Sequence, residues 1–132
     1  LPTDLNKTAQ QRRMMESVGY LRSHIAEVPV MVIPCIVAKA TGPAGWGPSI
    51  YPAVWSFMLA LRSRGLGTSF TTVHLYKKEE AAELLGIPSD YAQACMLPVA
   101  YYTGETFRPA DREPVEGLSF LDHWGNQPWS TI

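Results

Sequence analysis

The sequence has neither a surplus of basic residues nor an apolar run long enough to cross a membrane. It has 132 residues with 11 Lys and Arg against 12 Asp and Glu, so the net charge is -1. Chains that bind nucleic acid or an anionic membrane surface usually carry a basic excess, so we expect neither partner. The longest apolar stretch, residues 28–38, contains two prolines and is far shorter than the roughly 20 residues of a membrane helix. No signal peptide is visible, and we expect a cytoplasmic location.

Cysteine is scarce, and the metal-binding patterns are missing. The two cysteines, Cys35 and Cys95, each lie in an apolar run and form no CxxC pair. We expect two buried, reduced thiols, although a disulfide between neighbouring strands stays open. The three histidines have no Cys, His or Asp partner at metal-ligand spacing, so no metal site is predicted.

The sequence also lacks the motifs of side-chain catalysis. It has no GxSxG nucleophile turn and no pair of carboxylates near a candidate nucleophile. The loop GPAGWG, residues 42–47, does not match the phosphate-binding pattern GxxxxGK[ST]. An enzyme built from this chain would therefore need a cofactor to carry the chemistry.

What the sequence does contain is the composition of a globular domain, with 46% hydrophobic and 17% charged residues. Periodicity and Gly/Pro punctuation divide it into helices, strands and loops. The predicted elements are helices at 5–27, 50–64 and 77–85, buried strands at 28–37 and 94–102, an irregular loop at 39–48, an extended segment at 68–75, and an arm from residue 103. Two strands cannot make a stable sheet, so further strands from a preceding part or a partner chain are expected.

Several details of these elements are predicted by single residues. Asp4 or Thr3 is expected to cap the first helix, and Ser49 the second. Pro34 inside the first strand predicts a bulge or a missing ladder hydrogen bond. The helix at 50–64 is apolar over much of its surface, so we expect it to be buried or to lie at a subunit interface.

Several segments together, in chain order, resemble the nitroreductase-like flavoproteins. VPVMVIPCI at 28–36 resembles the family strand that precedes a lid loop, and the stretch PSIYPAVWSFMLALRSRGLGT at 48–68 is similar to the long central helix with its Gly-Leu-Gly turn. TTVHL, EEAAELLGIP and CMLPVAY resemble the segments that follow this helix. The family's basic ending is resembled by Arg108 and Arg112 with Pro114, Val115 and Glu116, and its closing motif by His123-Trp124.

The resemblance implies an α+β sandwich with a central antiparallel sheet flanked by helices. The chain would be one domain over residues 1–132, with an extended arm at 103–132. It would correspond to the C-terminal portion of a family member, incomplete N-terminally, because the family's N-terminal flavin-binding motif does not occur in it. A homodimer with FMN at the subunit interface is implied. Electrons would pass from NAD(P)H to nitroaromatics, quinones or similar acceptors.

Site residues follow from the same resemblance. No catalytic side chain is implied, because the flavin carries the chemistry. The phosphate would be held by arginines, the isoalloxazine ring would lie along a short segment, and the acceptor would stack under the loop around Trp46. The cofactor-binding residues implied are Arg108, Arg112, Thr71, Thr72, Val73 and His74. From the residues alone, the arginines are more simply solvated surface groups, and His74 can be an ordinary loop histidine. The alternative function is a catalytically inactive FMN-binding or dimerisation module.

Overall fold

The computed structural model describes residues 8–38, 42–104 and 112–129. The chain forms two compact units, the first ending at Tyr102 and the second beginning at Thr103. The described residues of the first unit form the α-helices α1 (Ala9–His24), α2 (Gly42–Arg62) and α3 (Lys78–Leu85). They also form the strands β1 (Val30–Val32), β2 (Cys35–Val37), β3 (Leu66–Thr68), β4 (Tyr91–Gln93) and β5 (Leu97–Tyr101).

The strands form two antiparallel sheets. One has the order β1-β5-β3, and the other pairs β2 with β4. The expected α+β class with antiparallel sheets is therefore confirmed. The expectation of only two strands is wrong, because β3 and β4 have three residues each and are too short to give a recognisable alternating pattern.

A bulge connects the two sheets. Val32 faces Leu97 in the first sheet and Cys35 faces Gln93 in the second. Val32 and Cys35 are three positions apart in the sequence, whereas their partners Leu97 and Gln93 are four positions apart. One extra residue therefore lies between Gln93 and Leu97. The interruption expected at Pro34 is thus confirmed, but the extra residue belongs to the opposite strand. The Pro34 carbonyl still accepts a hydrogen bond from the amide of Ala94, at 2.9 Å.

The first predicted strand is less buried than expected. We expected residues 28–37 to be covered on both faces, yet Val30, Met31 and Val37 are exposed. The reason is position, because β1 is an edge strand and β2 pairs only with β4. β5 lies in the centre of its sheet, and Leu97 and Val99 are buried as expected.

Helix α1 begins at Ala9, later than expected. Thr8 caps it through a capping box, in which its hydroxyl accepts from the Gln11 amide and the Gln11 side chain accepts from the Thr8 amide. The expected caps Asp4 and Thr3 lie outside the described residues. No residue of α1 is buried within the described part of the chain.

Helix α2 is longer than expected and includes most of the predicted loop. It begins at Gly42, so Ser49 lies inside the helix and does not cap it. Pro48 and Pro52 remove backbone donors without ending the helix. The helix stops where Gly65 takes a positive φ of 77°, as its sequence predicted. None of the helices among the described residues has the length and apolar character required to cross a membrane.

The core of the first unit lies between α2 and the strands. Its buried members among the described residues are Ile50, Val54, Ala94, Cys95, Leu97 and Val99. Trp46 and Met58 are half-buried and pack against this cluster. One stripe of α2 therefore meets the sheets, whereas the neighbouring stripe carries the exposed side chains of Tyr51, Trp55 and Leu59.

The second unit is a sequence of turns around one short 3₁₀ helix, Val115–Gly117. A loop is closed by the Leu121 amide, which donates to the Asn126 carbonyl at 2.9 Å. The Trp129 indole donates to the Ser119 carbonyl at 3.1 Å. No described residue of this unit is buried, so hydrogen bonds and ring contacts hold it instead of a core.

Candidate functional site

The segment Thr71–His74 connects β3 to α3. Thr71 is held by an antiparallel bridge in which its amide donates to the Met96 carbonyl at 3.1 Å and the Met96 amide donates to the Thr71 carbonyl at 2.8 Å. Beyond this bridge the chain turns, at Thr72 with ψ of 9°, into the 3₁₀ helix Val73–Lys77. The extended conformation expected up to Leu75 therefore ends early, because the described strand pairings include none of residues 72–75.

This turn leaves backbone donors at the surface. The first hydrogen bond of the 3₁₀ helix runs from the Leu75 amide to the Thr72 carbonyl, at 3.0 Å. The amides of Val73 and His74 precede it, so neither has a helical acceptor. The Val73 amide reaches the Thr71 hydroxyl at a long 3.4 Å, and 65% of Val73 is exposed. The segment can therefore offer amide hydrogens to a ligand.

The side chain of His74 is in an unusual state. The residue is half-buried, yet both of its ring nitrogens are shielded from solvent and have no hydrogen-bonding partner. This burial lowers the pKa of the His74 imidazole below its ordinary value of 6.5, since desolvation disfavours the charged ring. A buried, unpartnered polar atom costs about 1–3 kcal/mol. That His74 lines a ligand site, and is not an ordinary loop histidine, stays a prediction.

The two arginines expected at the cofactor phosphate stay a prediction. Arg112 is exposed and belongs to the second unit. Arg108 lies outside the described residues. Only the contiguous residues Thr71–His74 of the predicted site are therefore described as one local structure.

An apolar groove lies on α2 and is bordered by the residue that precedes this segment. It has a volume of about 450 Å³ and is lined by Tyr51, Val54, Trp55, Met58 and Phe70. The rings of Tyr51 and Phe70 are 5.8 Å apart, centroid to centroid. These side chains are not among the site residues expected from the sequence. The sequence feature that points to them is the broad apolar surface of α2, which is wider than the single stripe that packs against a core.

Trp46 does not belong to a lid. Its residue lies within α2, its side chain packs against the core cluster, and its ring centroid is 6.1 Å from that of Tyr51. The loop expected over the acceptor at residues 39–48 is helical from Gly42 onward. Trp46 therefore lies between the core cluster and Tyr51, a ring that lines the groove.

Neither cysteine has the environment of a reactive thiol. Cys95 is fully buried, Cys35 is half-buried, and neither forms a disulfide. Desolvation raises the pKa of both thiols, which disfavours the nucleophilic thiolate. The expectation of full burial is thus confirmed for Cys95 and wrong for Cys35. In the part of the chain that is described, no three His, Cys, Asp or Glu side chains come together in a way that would hold a metal ion.

The model of the Nitroreductase family matches residues 4–101, which includes all five strands, the helix with the groove and the segment Thr71–His74. No curated protein matches the sequence.

Proposed function

Because this chain belongs to the nitroreductase family, a family of flavin-dependent oxidoreductases, we propose that it binds FMN and transfers electrons from NAD(P)H to a nitroaromatic, quinone or similar acceptor. The observation that carries this proposal is the segment Thr71–His74 within the matched region. A bound FMN supplies the redox chemistry, and the protein binds and orients it.

The described residues of this segment fit such a ligand. Thr72 and Val73 are exposed, and the amides of Val73 and His74 lack helical acceptors. Amide hydrogens of this kind can donate to a ring nitrogen of the isoalloxazine and so tune its electron affinity. The ring nitrogens of His74, in the same turn, have no hydrogen-bonding partner, and a bound ligand could supply one.

The phosphate of FMN requires a cationic partner, and we assign this role to Arg112 and Arg108. A planar guanidinium meets a phosphate with two charge-assisted hydrogen bonds. The exposure of Arg112 leaves its guanidinium accessible to a ligand. No side chain is assigned to catalysis, because the flavin would carry the chemistry.

We further propose that the protein is a homodimer in which α2 lies at the interface. The support is the exposed apolar stripe next to the groove, where Trp55 is 62% and Leu59 54% exposed. Contiguous apolar surface of this kind is typical of a protein–protein interface. Phe70 borders both the groove and the segment Thr71–His74, so a partner on this surface would lie beside the proposed flavin.

The test is a titration of FMN with the full chain, followed by quenching of flavin fluorescence, and then anaerobic addition of NADH or NADPH. We expect saturable quenching and bleaching of the bound flavin. Saturable binding without bleaching by either nucleotide would favour the alternative, an inactive FMN-binding module. Absence of binding would refute the proposed function and leave a dimerisation module.

The assignment of Arg112 has a matched test. Arg112→Ala should weaken FMN binding at least about tenfold, because hydrogen bonds to charged groups contribute about 1.5–3 kcal/mol. Arg64→Ala is the control, since the Arg64 guanidinium donates to the Ala60 carbonyl at the end of α2. Equal affinities of both variants at fixed salt would remove Arg112 from the phosphate site.

A further inference from the structure

The imidazole of His74 has the largest unmet hydrogen-bonding capacity of any described side chain. Buried side-chain atoms without a partner are few among the described residues: one each in Thr68 and Gln93, and two in His74. Gln93 still uses its amide nitrogen, which donates to the Lys78 carbonyl at 2.7 Å. His74 therefore has both of its polar atoms unsatisfied, an arrangement that folding alone disfavours.

One side-chain torsion can change the positions of the two ring nitrogens. His74 keeps part of its surface exposed although its nitrogens do not, so the exposed atoms are other atoms of the residue. A half-turn about the Cβ–Cγ bond exchanges Nδ1 with Cδ2 and Nε2 with Cε1. The histidine χ2 torsion is broad and roughly two-fold, so this rotation requires no change of the backbone.

The neutral ring also matches a particular kind of ligand edge. A neutral imidazole has one donor and one acceptor, and the pyrimidine side of an isoalloxazine offers ring nitrogens and carbonyl oxygens of both kinds. We infer that the His74 side chain turns over when FMN binds and makes a direct hydrogen bond to the isoalloxazine, in addition to the backbone contacts of Val73 and His74. This inference rests on the proposed function and assigns one specific hydrogen bond to the His74 ring.

The decisive measurement is the ¹⁵N spectrum of the histidine rings, recorded on the full chain without and with saturating FMN. Variants His24→Gln and His123→Gln assign the three imidazoles. We expect the nitrogen resonances of His74 to shift and those of His24 to stay, because His24 is stacked on Tyr20 and bonded to its carbonyl on α1. An unchanged His74 spectrum, with bound FMN verified by fluorescence quenching, would overturn the inference and leave the proposed function intact.

Two substitutions give an independent readout. His74→Leu should weaken FMN binding about three- to tenfold, the range for one neutral hydrogen bond, whereas His74→Gln, which keeps a donor and an acceptor, should stay within about threefold of the wild type. His24→Leu is the control and should bind as the wild type does. Wild-type affinity of a folded His74→Leu would overturn the inference, and if this variant does not fold, His74→Gln and the wild-type spectrum decide. Absence of FMN binding in the wild type would refute the proposed function and the inference with it.

Discussion

Replacement of Trp55 by alanine tests whether the exposed stripe of α2 holds two copies together. Trp55 lines the groove and is 62% exposed. A large aromatic side chain buries roughly 150–250 Å², so roughly 90–155 Å² of it remains to be covered. At about 25 cal/mol per Å², covering this area contributes about 2–4 kcal/mol in each copy. Because both copies carry the substitution, the dimer loses about 4–8 kcal/mol, and Trp55→Ala should weaken self-association at least about 700-fold.

Sedimentation velocity over a range of protein concentrations measures this change. The matched control is Trp124→Ala, which removes the same side chain from the second unit, where it is 91% exposed. We expect the control to dimerise within about threefold of the wild type, and circular dichroism to be native for both variants. The reasoning fails if Trp55→Ala associates as tightly as the wild type, or if the wild type itself is a monomer at micromolar concentration.

Three further predictions concern the first unit. Leu97→Ala should lower the free energy of unfolding by about 3–5 kcal/mol in urea melts, because Leu97 is fully buried on the central strand. The control is Leu84→Ala, since Leu84 is 84% exposed on α3, and it should change the free energy of unfolding by less than about 0.5 kcal/mol. Similar values for the two variants would contradict the assigned core. A thiol reagent should label native Cys35 faster than the fully buried Cys95, and the reverse order by mass spectrometry would argue against the described burial. Burial lowers the pKa of His74 in the folded chain, so the unfolded chain binds more protons below about pH 6.5. The free energy of unfolding should therefore fall as the pH drops below about 6.5 and level off above it. His74→Leu should lose this part of the pH dependence, and an unchanged profile would refute the assigned cause.

Local punctuation made some elements predictable. Helix α3 was expected within one residue of its position, because glutamates favour its first turn and Gly86 ends it with a positive φ of 65°. The buried part of β5 followed from its continuous apolar run. These signals are contained in a few neighbouring residues and do not depend on the rest of the chain.

Other features depend on tertiary contacts that a local pattern does not contain. The glycines and prolines of residues 42–48 indicated a loop, yet the contact of Trp46 with the core favours continuation of α2. Exposure of β1 depends on its place at a sheet edge, which the sequence of β1 does not reveal. The unpartnered nitrogens of His74 are likewise a property of its surroundings. The predicted segment Thr71–His74 and Arg112 remain a hypothesis for the cofactor site.

The extra residue between Gln93 and Leu97 shifts the alternation of side chains between the two faces by one position. In a strand, successive side chains alternate between faces, so an even spacing keeps two residues on the same side and an odd spacing separates them. Because of the bulge, β4 pairs in register with β2 while β5 pairs in register with β1 and β3. A deletion of one residue here would shift the register of one of these pairings, and a one-residue shift turns every side chain of a strand to the opposite face. The spacing between Gln93 and Leu97 is therefore expected to be kept more strictly than the identity of the residues within it.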